Sequence, residues 1–486
     1  MGEYLLVIDE GTTSTRAMLF RAGGACVASE AAPLTQSYPR PGWVEHDAAE
    51  IWRKSLRVAG AMVAQAGGPD RIAAIGITNQ RETVVFWDRE TGEPLAPAIV
   101  WQDRRTADAC RALAEAGHEA LVQERTGLLL DPYFSASKIG WAMREWPQLA
   151  EAGDRLAVGT VESWLVWKLT GGLHVTDATN ASRTALMDLR TGGWDPALIE
   201  LFGARRTALP AIVDCAGRFG ETRAFGPAIP ICGLAGDQQA ASIGQACLRP
   251  GETKATFGTG AFILAQTGDR PLPSDHRLLS TVAWSLGGER AYALEGSVFV
   301  AGSLVQWLRD SIGLIGSAPE TEALARAVPD NGGVYLVPAL SGLGAPHWRP
   351  EVRAAISGLT FSATRAHVVR AALEAQAYQA HDLKRAFASD GQDWRTLRID
   401  GGMVANDWMA QDLADMLGVT VERPRFAETT ALGAAMLAGL GRGLFASLDE
   451  ASAMRGDVER FEPRVGEDER AARLEGWSAA VRKVLS

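Results

Sequence analysis

The chain has 486 residues, 47% of them hydrophobic and 22% charged, with a net charge of -10. That length calls for two or three domains, and the balance of apolar and charged residues is that of a globular protein rather than a disordered one. The negative charge excludes a general attraction to nucleic-acid phosphates, so no nucleic-acid partner is expected and an anionic substrate would need locally placed basic groups. No apolar run reaches membrane-spanning length, and no basic-then-apolar leader opens the chain. The five cysteines (Cys26, Cys110, Cys215, Cys232, Cys247) are scattered without a CxxC pair. They read as reduced core thiols in a cytoplasm, not as a disulfide frame or a zinc site.

The first thirty residues predict a strand meander. "YLLVID" is one strand, "EGTTS" a turn, "TRAMLFRA" the next strand, "GG" a turn and "ACVASE" a third. The first turn is suited to phosphate. Gly11 permits close approach, while Thr12, Thr13 and Ser14 offer hydroxyls beside backbone N–H groups. Arg16 adds a planar, permanently charged donor fork. Asp9 would repel phosphate directly, and fits if a Mg2+ with its water shell lies between. The plainer alternative is a hairpin turn led by an aspartate.

Further along, "IAAIGIT" predicts a buried strand that runs into "NQRET". Side chains alternate in extended chain, so Arg81 and Glu82 can meet one ligand only if the chain turns there. Otherwise they are a surface pair. "IVWQDRRT" places Trp101 between an apolar run and charges, where its ring could pack on the carbons of a small ligand. "IPICGLAGD" is a second buried strand ending at Asp237, at the start of a helix. A carboxylate there can take a proton from an attacking hydroxyl, or simply cap the helix. Gln238 follows it.

The pattern of strand, Gly-Thr turn and strand returns in "ETKATFGTGAFILAQTG", half a chain later. Two such units suggest two similar domains facing one cleft, and the boundary is expected near residue 246. The later half adds "GVYLVPA", a helix over "HVVRAALEAQAYQAHDLKRAF", a strand, Gly-Gly turn and helix in "LRIDGGMVANDWMAQDLADML", and a small-residue helix, "TTALGAAMLAGLG". Asn406 stands before one of these helices as a nucleotide contact or as a cap. Walker-type GxxxxGK, HExxH and GxSxG sequences are absent, and the seven histidines are dispersed. His46 has no partner at metal spacing.

Taken in order, "DEGTTSTRA", "PGWVEHD", "GITNQRET", "VWQDRRT", "DPYFSASK", "TDATNASRT", "GLAGDQQAA", "FGTGAF", "ALEGSVFVAGSLVQWLRD", "GLGAPHW" and "DGGMVAND" resemble the FGGY carbohydrate kinases, on their glycerol-phosphorylating branch. The likeness spans nearly the whole chain. "YFSASKIGWAMRE" and "GLTFSATRAHVVRAALE" resemble the two signatures of that family. The resemblance implies an α/β fold of two actin/hexokinase/Hsp70-type (ribonuclease H-like) ATPase domains flanking a deep cleft. Residues 1–246 would carry the polyol substrate and the phosphate loop, and residues 247–486 the nucleotide. ATP and Mg2+ would be the cofactors. By motif match, Arg81, Glu82, Tyr133, Asp237 and Gln238 would hydrogen-bond glycerol, with Trp101 and Phe262 against its carbons. Asp237 would be the general base, with Arg16 and Thr12 acting beside it. Thr12, Thr13, Ser14, Arg16 and Thr259 would surround the phosphates. Gly302, Gln306, Gly402 and Asn406 would line the nucleoside side, and Asp9 would hold Mg2+ through water.

The resemblance has departures. Glu10 stands where well-known members have glutamine. It would either repel phosphate or face the other side of its strand. "ETRAFGPAIPICG" is short and lacks the loop with which some bacterial members bind fructose 1,6-bisphosphate. The histidine phosphorylated in some Gram-positive members is missing, and the tail lacks the patch that docks a phosphotransferase-system protein. Regulation of those kinds is not expected. A cytoplasmic homodimer or homotetramer is implied. The rival readings are an FGGY kinase for erythritol or a ketopentose, an actin- or Hsp70-like ATPase, and a catalytically silent sensor of the same fold.

Overall fold

The computed structural model describes residues 2–349 and 351–486. Strands β1 (Tyr4–Glu10), β2 (Ser14–Arg21) and β3 (Cys26–Pro33) form the expected antiparallel meander. Helix α1 (Ala48–Ala66) starts at Asp47, whose carboxylate accepts the Ala49 N–H, and stops at left-handed Gly67. Its buried residues Ile51, Val58, Ala59 and Met62 recur at helical spacing and pack on Leu6, Ile8, Ala17 and Leu19 of the meander. The chain then re-enters the sheet as β4 (Ile72–Asn79), parallel to β1. Every residue of β4 is buried, which is why it reads as a continuous apolar run and not as an alternating one. The short β5 (Glu221–Thr222) and then β6 (Ile229–Gly236), parallel to β4, complete the sheet, and helix α2 (Asp237–Gly244) follows at once. The order is β5-β6-β4-β1-β2-β3.

The second sheet repeats the plan. Hairpin β7 (Thr253–Phe257) and β8 (Ala261–Gly268) is extended by β9 (Leu279–Leu286) and β10 (Glu289–Val298). Helices α3 (Gly302–Asp310), α4 (Glu320–Arg326) and α5 (Arg365–Ser389) lead to β11 (Thr396–Asp400), parallel to β7. After α6 (Asp407–Leu417) comes β12 (Thr420–Pro424), parallel to β11. Helix α7 (Thr429–Arg442), strand β13 (Val458–Phe461) and helix α8 (Glu467–Leu485) follow. The order is β9-β10-β8-β7-β11-β12-β13. Without the edge strands β5, β9 and β13, the two sheets share one order and one set of directions: β3-β2-β1-β4-β6 and β10-β8-β7-β11-β12. This duplicated three-antiparallel, two-parallel sheet is the two-lobed actin/hexokinase-type fold that the sequence led us to expect.

The helices that follow the fifth strands, α2 and α7, pack on each other at the waist. A Cβ on Gly433 would lie 1.8 Å from Ala240 O, and one on Gly244 would lie 2.0 Å from Thr429 O. Helix α7 also lies against the first sheet, where Gly76 and Gly233 leave room for its backbone. Its Ala431, Ala434, Leu437 and Ala438 share a core with Leu5, Val7 and Ala74. A helix from the far side of residue 246 thus completes the first lobe. A smaller sheet of Glu45–His46, Ala98–Ile99, Val84–Asp88 and Leu156–Thr160 buttresses the loops after β4. The five cysteines are unpaired, and four of them are buried. Among the described residues, no helix is long and apolar enough to cross a membrane.

Candidate active site

Strands β1, β4 and β6 run parallel and end on one edge of the sheet, so Asp9, the Asn79–Glu82 segment and Asp237 arrive together. The turn between β1 and β2 is closed by Gly11 N donating to Ser14 O at 3.0 Å. Thr12 and Ser14 are half-buried, and Thr13 is exposed. Thr12 Oγ1 also accepts the indole N–H of Trp101 at 2.9 Å, tying the turn to the ring. Arg16 is paired with Glu428, just before α7, at 2.5 Å.

Glu10 faces away from this turn. Its Oε2 accepts from Ser55 of α1 at 2.6 Å, and its Oε1 is buried without a partner. Burial pushes its carboxyl up to about 8, against the hydrogen bonds from Ser55 and Thr15. Asp9 lies on the other strand face. Burial pushes it up to about 7. Arg16 opposes that shift, and the carboxylates of Asp237 and Glu428 add to it.

The chain bends at residues 81–82 just after β4, and the surface-pair reading of Arg81 and Glu82 fails: both are 2% exposed. Arg81 donates to Tyr133 Oη at 3.1 Å, and its Nε lies 3.4 Å from Asp237 Oδ1 and 3.6 Å from Glu82 Oε1. Asp237 is not the helix cap, because Gly236 holds that place. It is the first residue of α2, and its Oδ1 accepts the Gln238 N–H at 2.7 Å. Its side chain is 34% exposed, open to the cleft but walled by protein. Burial raises its pKa, while Arg81 and Lys254 pull it back. Trp101 meets Tyr133 and Phe262 edge-on, with centroids 5.6 and 6.4 Å away. The loop that carries Tyr133 is fixed by Lys138, whose ammonium donates to the carbonyls of Pro132, Tyr133 and Phe134. All seven residues expected to hold a polyol therefore gather in one place.

Two further residues complete that cluster and were not singled out in the sequence. Glu295 of β10 accepts from both terminal nitrogens of Arg81, at 2.6 and 3.1 Å. Arg183 donates to Glu82 at 2.8 Å and to Glu295 at 2.9 Å. Burial opposes ionisation of Glu295, but Arg183 and Arg81 outweigh it and bring its carboxyl to about 2. The signal available was a glutamate in the otherwise apolar strand "AYALEGSVFV", because a charge is seldom placed inside without a partner.

Across the cleft, a cavity of about 390 Å3 is lined by Thr259, Gly302, Gln306, Gly402 and Asn406, together with Val305, Thr321, Leu373 and Met403. Gly302 is required there, since a Cβ would meet Gly258 O at 2.6 Å, whereas a Cβ on Gly402 would meet no protein atom. Asn406 is a helix cap and also a cavity wall. It caps α6 by accepting Met409 N at 2.9 Å, and it lines the cavity while donating to Thr321 at 3.2 Å. His46 is buried, and its Nδ1 contacts Thr35 O at 3.0 Å. Among the described residues, no group of three His, Cys, Asp or Glu is placed to hold a metal directly.

Profiles of the FGGY family of carbohydrate kinases match the chain twice, the N-terminal domain over residues 4–244 and the C-terminal domain over residues 253–441. The chain belongs to the FGGY family of carbohydrate kinases. Within this family it is 53% identical to a glycerol kinase of Gluconobacter oxydans, covering 100% of this chain and 96% of that one. It is 54% identical to a glycerol kinase of Rhodospirillum rubrum, with 99% of each covered. The structure superimposes on Plasmodium falciparum glycerol kinase with ADP at a TM-score of 0.92 and 36% identity, covering 100% of this chain and 99% of that one. A xylulose kinase from Rhodospirillum rubrum is more distant, at 0.85 and 25% identity, with 99% of each chain covered. Membership of the family carries with it the use of ATP as phosphoryl donor.

Proposed function

We propose that this chain catalyses the ATP-dependent phosphorylation of glycerol to sn-glycerol 3-phosphate. The observation that carries this reading is the cluster of polar and aromatic side chains around Asp237. Arg81, Glu82, Tyr133 and Gln238 would supply polar contacts for a triol, and the rings of Trp101, Tyr133 and Phe262, which meet edge-on beside them, would pack on its short carbon chain. The full-length likeness to glycerol kinases supports it. Glycerol buries three hydroxyls on a short skeleton, and each one left unpaired would cost about 1–3 kcal/mol.

In this mechanism Asp237 takes the proton of the terminal hydroxyl as its oxygen attacks the γ-phosphorus in line, and the bond from that phosphorus to the β,γ-bridging oxygen breaks to release ADP. Arg81, Glu82, Tyr133 and Gln238 fix the other hydroxyls, and the Trp101 and Phe262 rings lie against the carbons. Thr12, Thr13, Ser14 and Thr259 surround the phosphates. Arg16 leaves Glu428 to neutralise charge on them, and Thr12 steadies the transferred group. Gly302, Gln306, Gly402 and Asn406 hold the nucleoside. The surroundings of Asp9 fit a hydrated cation: burial and the carboxylates of Asp237 and Glu428 raise its pKa against the guanidinium of Arg16, so negative charge gathers there. Mg2+ bound there through water would supply charge neutralisation for the donor phosphates.

The division at residue 246 into a polyol lobe and a nucleotide lobe, the cytoplasmic location and the homodimeric or homotetrameric state belong to the same reading. So does the lack of control by fructose 1,6-bisphosphate or by the phosphotransferase system. The deciding experiment measures ADP release with glycerol, erythritol, xylulose, dihydroxyacetone or no acceptor. Glycerol should stimulate release most, and Asp237→Asn should abolish at least about 99% of that turnover while still binding glycerol. Equal rates with and without any acceptor would sink the kinase reading. A tenfold preference for erythritol or xylulose in kcat/KM would reassign the substrate.

A further inference from the structure

Lys254 lies on β7 in the second lobe, and its side chain is wholly buried. A lysine is seldom placed so unless acceptors match its ammonium. Here Nζ donates to Gln238 Oε1 at 2.5 Å and to Thr256 Oγ1 at 2.8 Å. The first contact joins the lobes, since Gln238 is the second residue of α2, beside Asp237. The groups that face Lys254 are the carboxylates of Asp400, Asp237 and Glu295 and the guanidinium of Arg81. Burial pulls the ammonium's pKa down, and the carboxylates act against that.

An amide has two unlike ends. An ammonium has three donors and no acceptor, so it tolerates the oxygen of Gln238 and rejects the NH2. A flipped amide would set N–H against N–H in a buried place. The end left for a ligand is therefore Nε2, a donor.

We propose that Lys254 is a positioning residue for substrate recognition: it clamps the side-chain oxygen of Gln238 so that the amide Nε2 is presented to an oxygen of the polyol. This rests on reading Gln238 as a polyol ligand. It makes that part of the site specific for an acceptor atom. A hydroxyl or a carbonyl oxygen satisfies it, and a protonated amine does not.

The test is a double-mutant cycle on the full chain, with the glycerol Kd measured by calorimetry and folding followed by thermal unfolding. Lys254→Met should weaken glycerol binding by about tenfold or more, the scale of losing a charge-assisted hydrogen bond. Its effect on kcat should be smaller. In a Gln238→Ala background the same change should move the Kd by less than twofold, because the group being oriented is gone. Thr256→Val removes the other anchor of Lys254 and keeps its charge. It should weaken binding in the same direction but less, again only when Gln238 is present, and it serves if Lys254→Met does not fold. An equal fold-loss in both backgrounds, or no loss in either, overturns the clamp. If Gln238→Ala itself binds glycerol as tightly as the parent, the polyol reading of Gln238 falls, and the clamp falls with it. Weak binding by Gln238→Ala with an additive effect of Lys254 removes the clamp alone.

Discussion

Asp9 and Glu10 are neighbours in the chain with opposite surroundings, because successive side chains of a strand point to opposite faces. Asp9 lies on the opposite face, where Arg16, Asp237 and Glu428 act on it. Glu10 reaches Ser55 under α1, where the hydrogen bonds from Ser55 and Thr15 do not offset the burial of a charge. At neutral pH it is mostly a carboxylic acid, close in shape to the glutamine usual at this place. The thermodynamic sign follows from the shift. The folded protein keeps the proton up to about 8, whereas the unfolded chain releases it near 4.5. Over that interval the native state binds more protons, so Glu10 makes the protein less stable as pH rises. Glu10→Gln should therefore melt at a higher temperature than the parent. The gap should widen from about pH 4.5 to about pH 8 and then level off. A gap independent of pH would show that Glu10 is ionised in the folded protein.

At the level of elements, the strand–turn–strand units were readable because their patterns are local: apolar runs, small turn residues, then apolar runs again. So was the small-residue helix "TTALGAAMLAGLG". Which sheet it covers was not, because small residues announce close packing without naming the partner. The contact is demanding. The Cβ of Gly433→Ala would sit 1.8 Å from a backbone oxygen of α2, an atom that cannot swing away as a side-chain tip can. Overpacking of this kind costs about 1–3 kcal/mol. Gly433→Ala should lower the melting temperature by several degrees, as read by calorimetry. An unchanged transition would mean that α2 and α7 slide apart freely. The polar cluster was legible only in part, for a related reason. Arg81, Glu82 and Asp237 sit at strand ends and could be picked out one by one. Glu295 bonds Arg81 from 214 positions away, and Arg183 bonds Glu295 from 112. No local pattern encodes a pairing at such distances.

For the whole molecule, Glu295 matters because it reaches from the second lobe to two arginines of the first. Removing one member of a buried ion pair leaves its partners uncompensated, at a cost of about 3–5 kcal/mol. Glu295→Ala should therefore lower the melting temperature and weaken glycerol binding together, since Arg81 would lose both of its bonds to that carboxylate. Calorimetry of glycerol binding checks it. Normal affinity in a folded Glu295→Ala protein would confine Glu295 to stability. The passage of α7 back onto the first sheet has a different kind of consequence, one of timing. On the ribosome, residues 1–246 emerge long before residues 429–442, which cover β1, β4 and β6. Translation at about 5–20 residues per second puts the delay at roughly 10–40 seconds. For that interval the nascent first lobe has a bare apolar sheet face, a natural target for chaperones that hold unfinished chains.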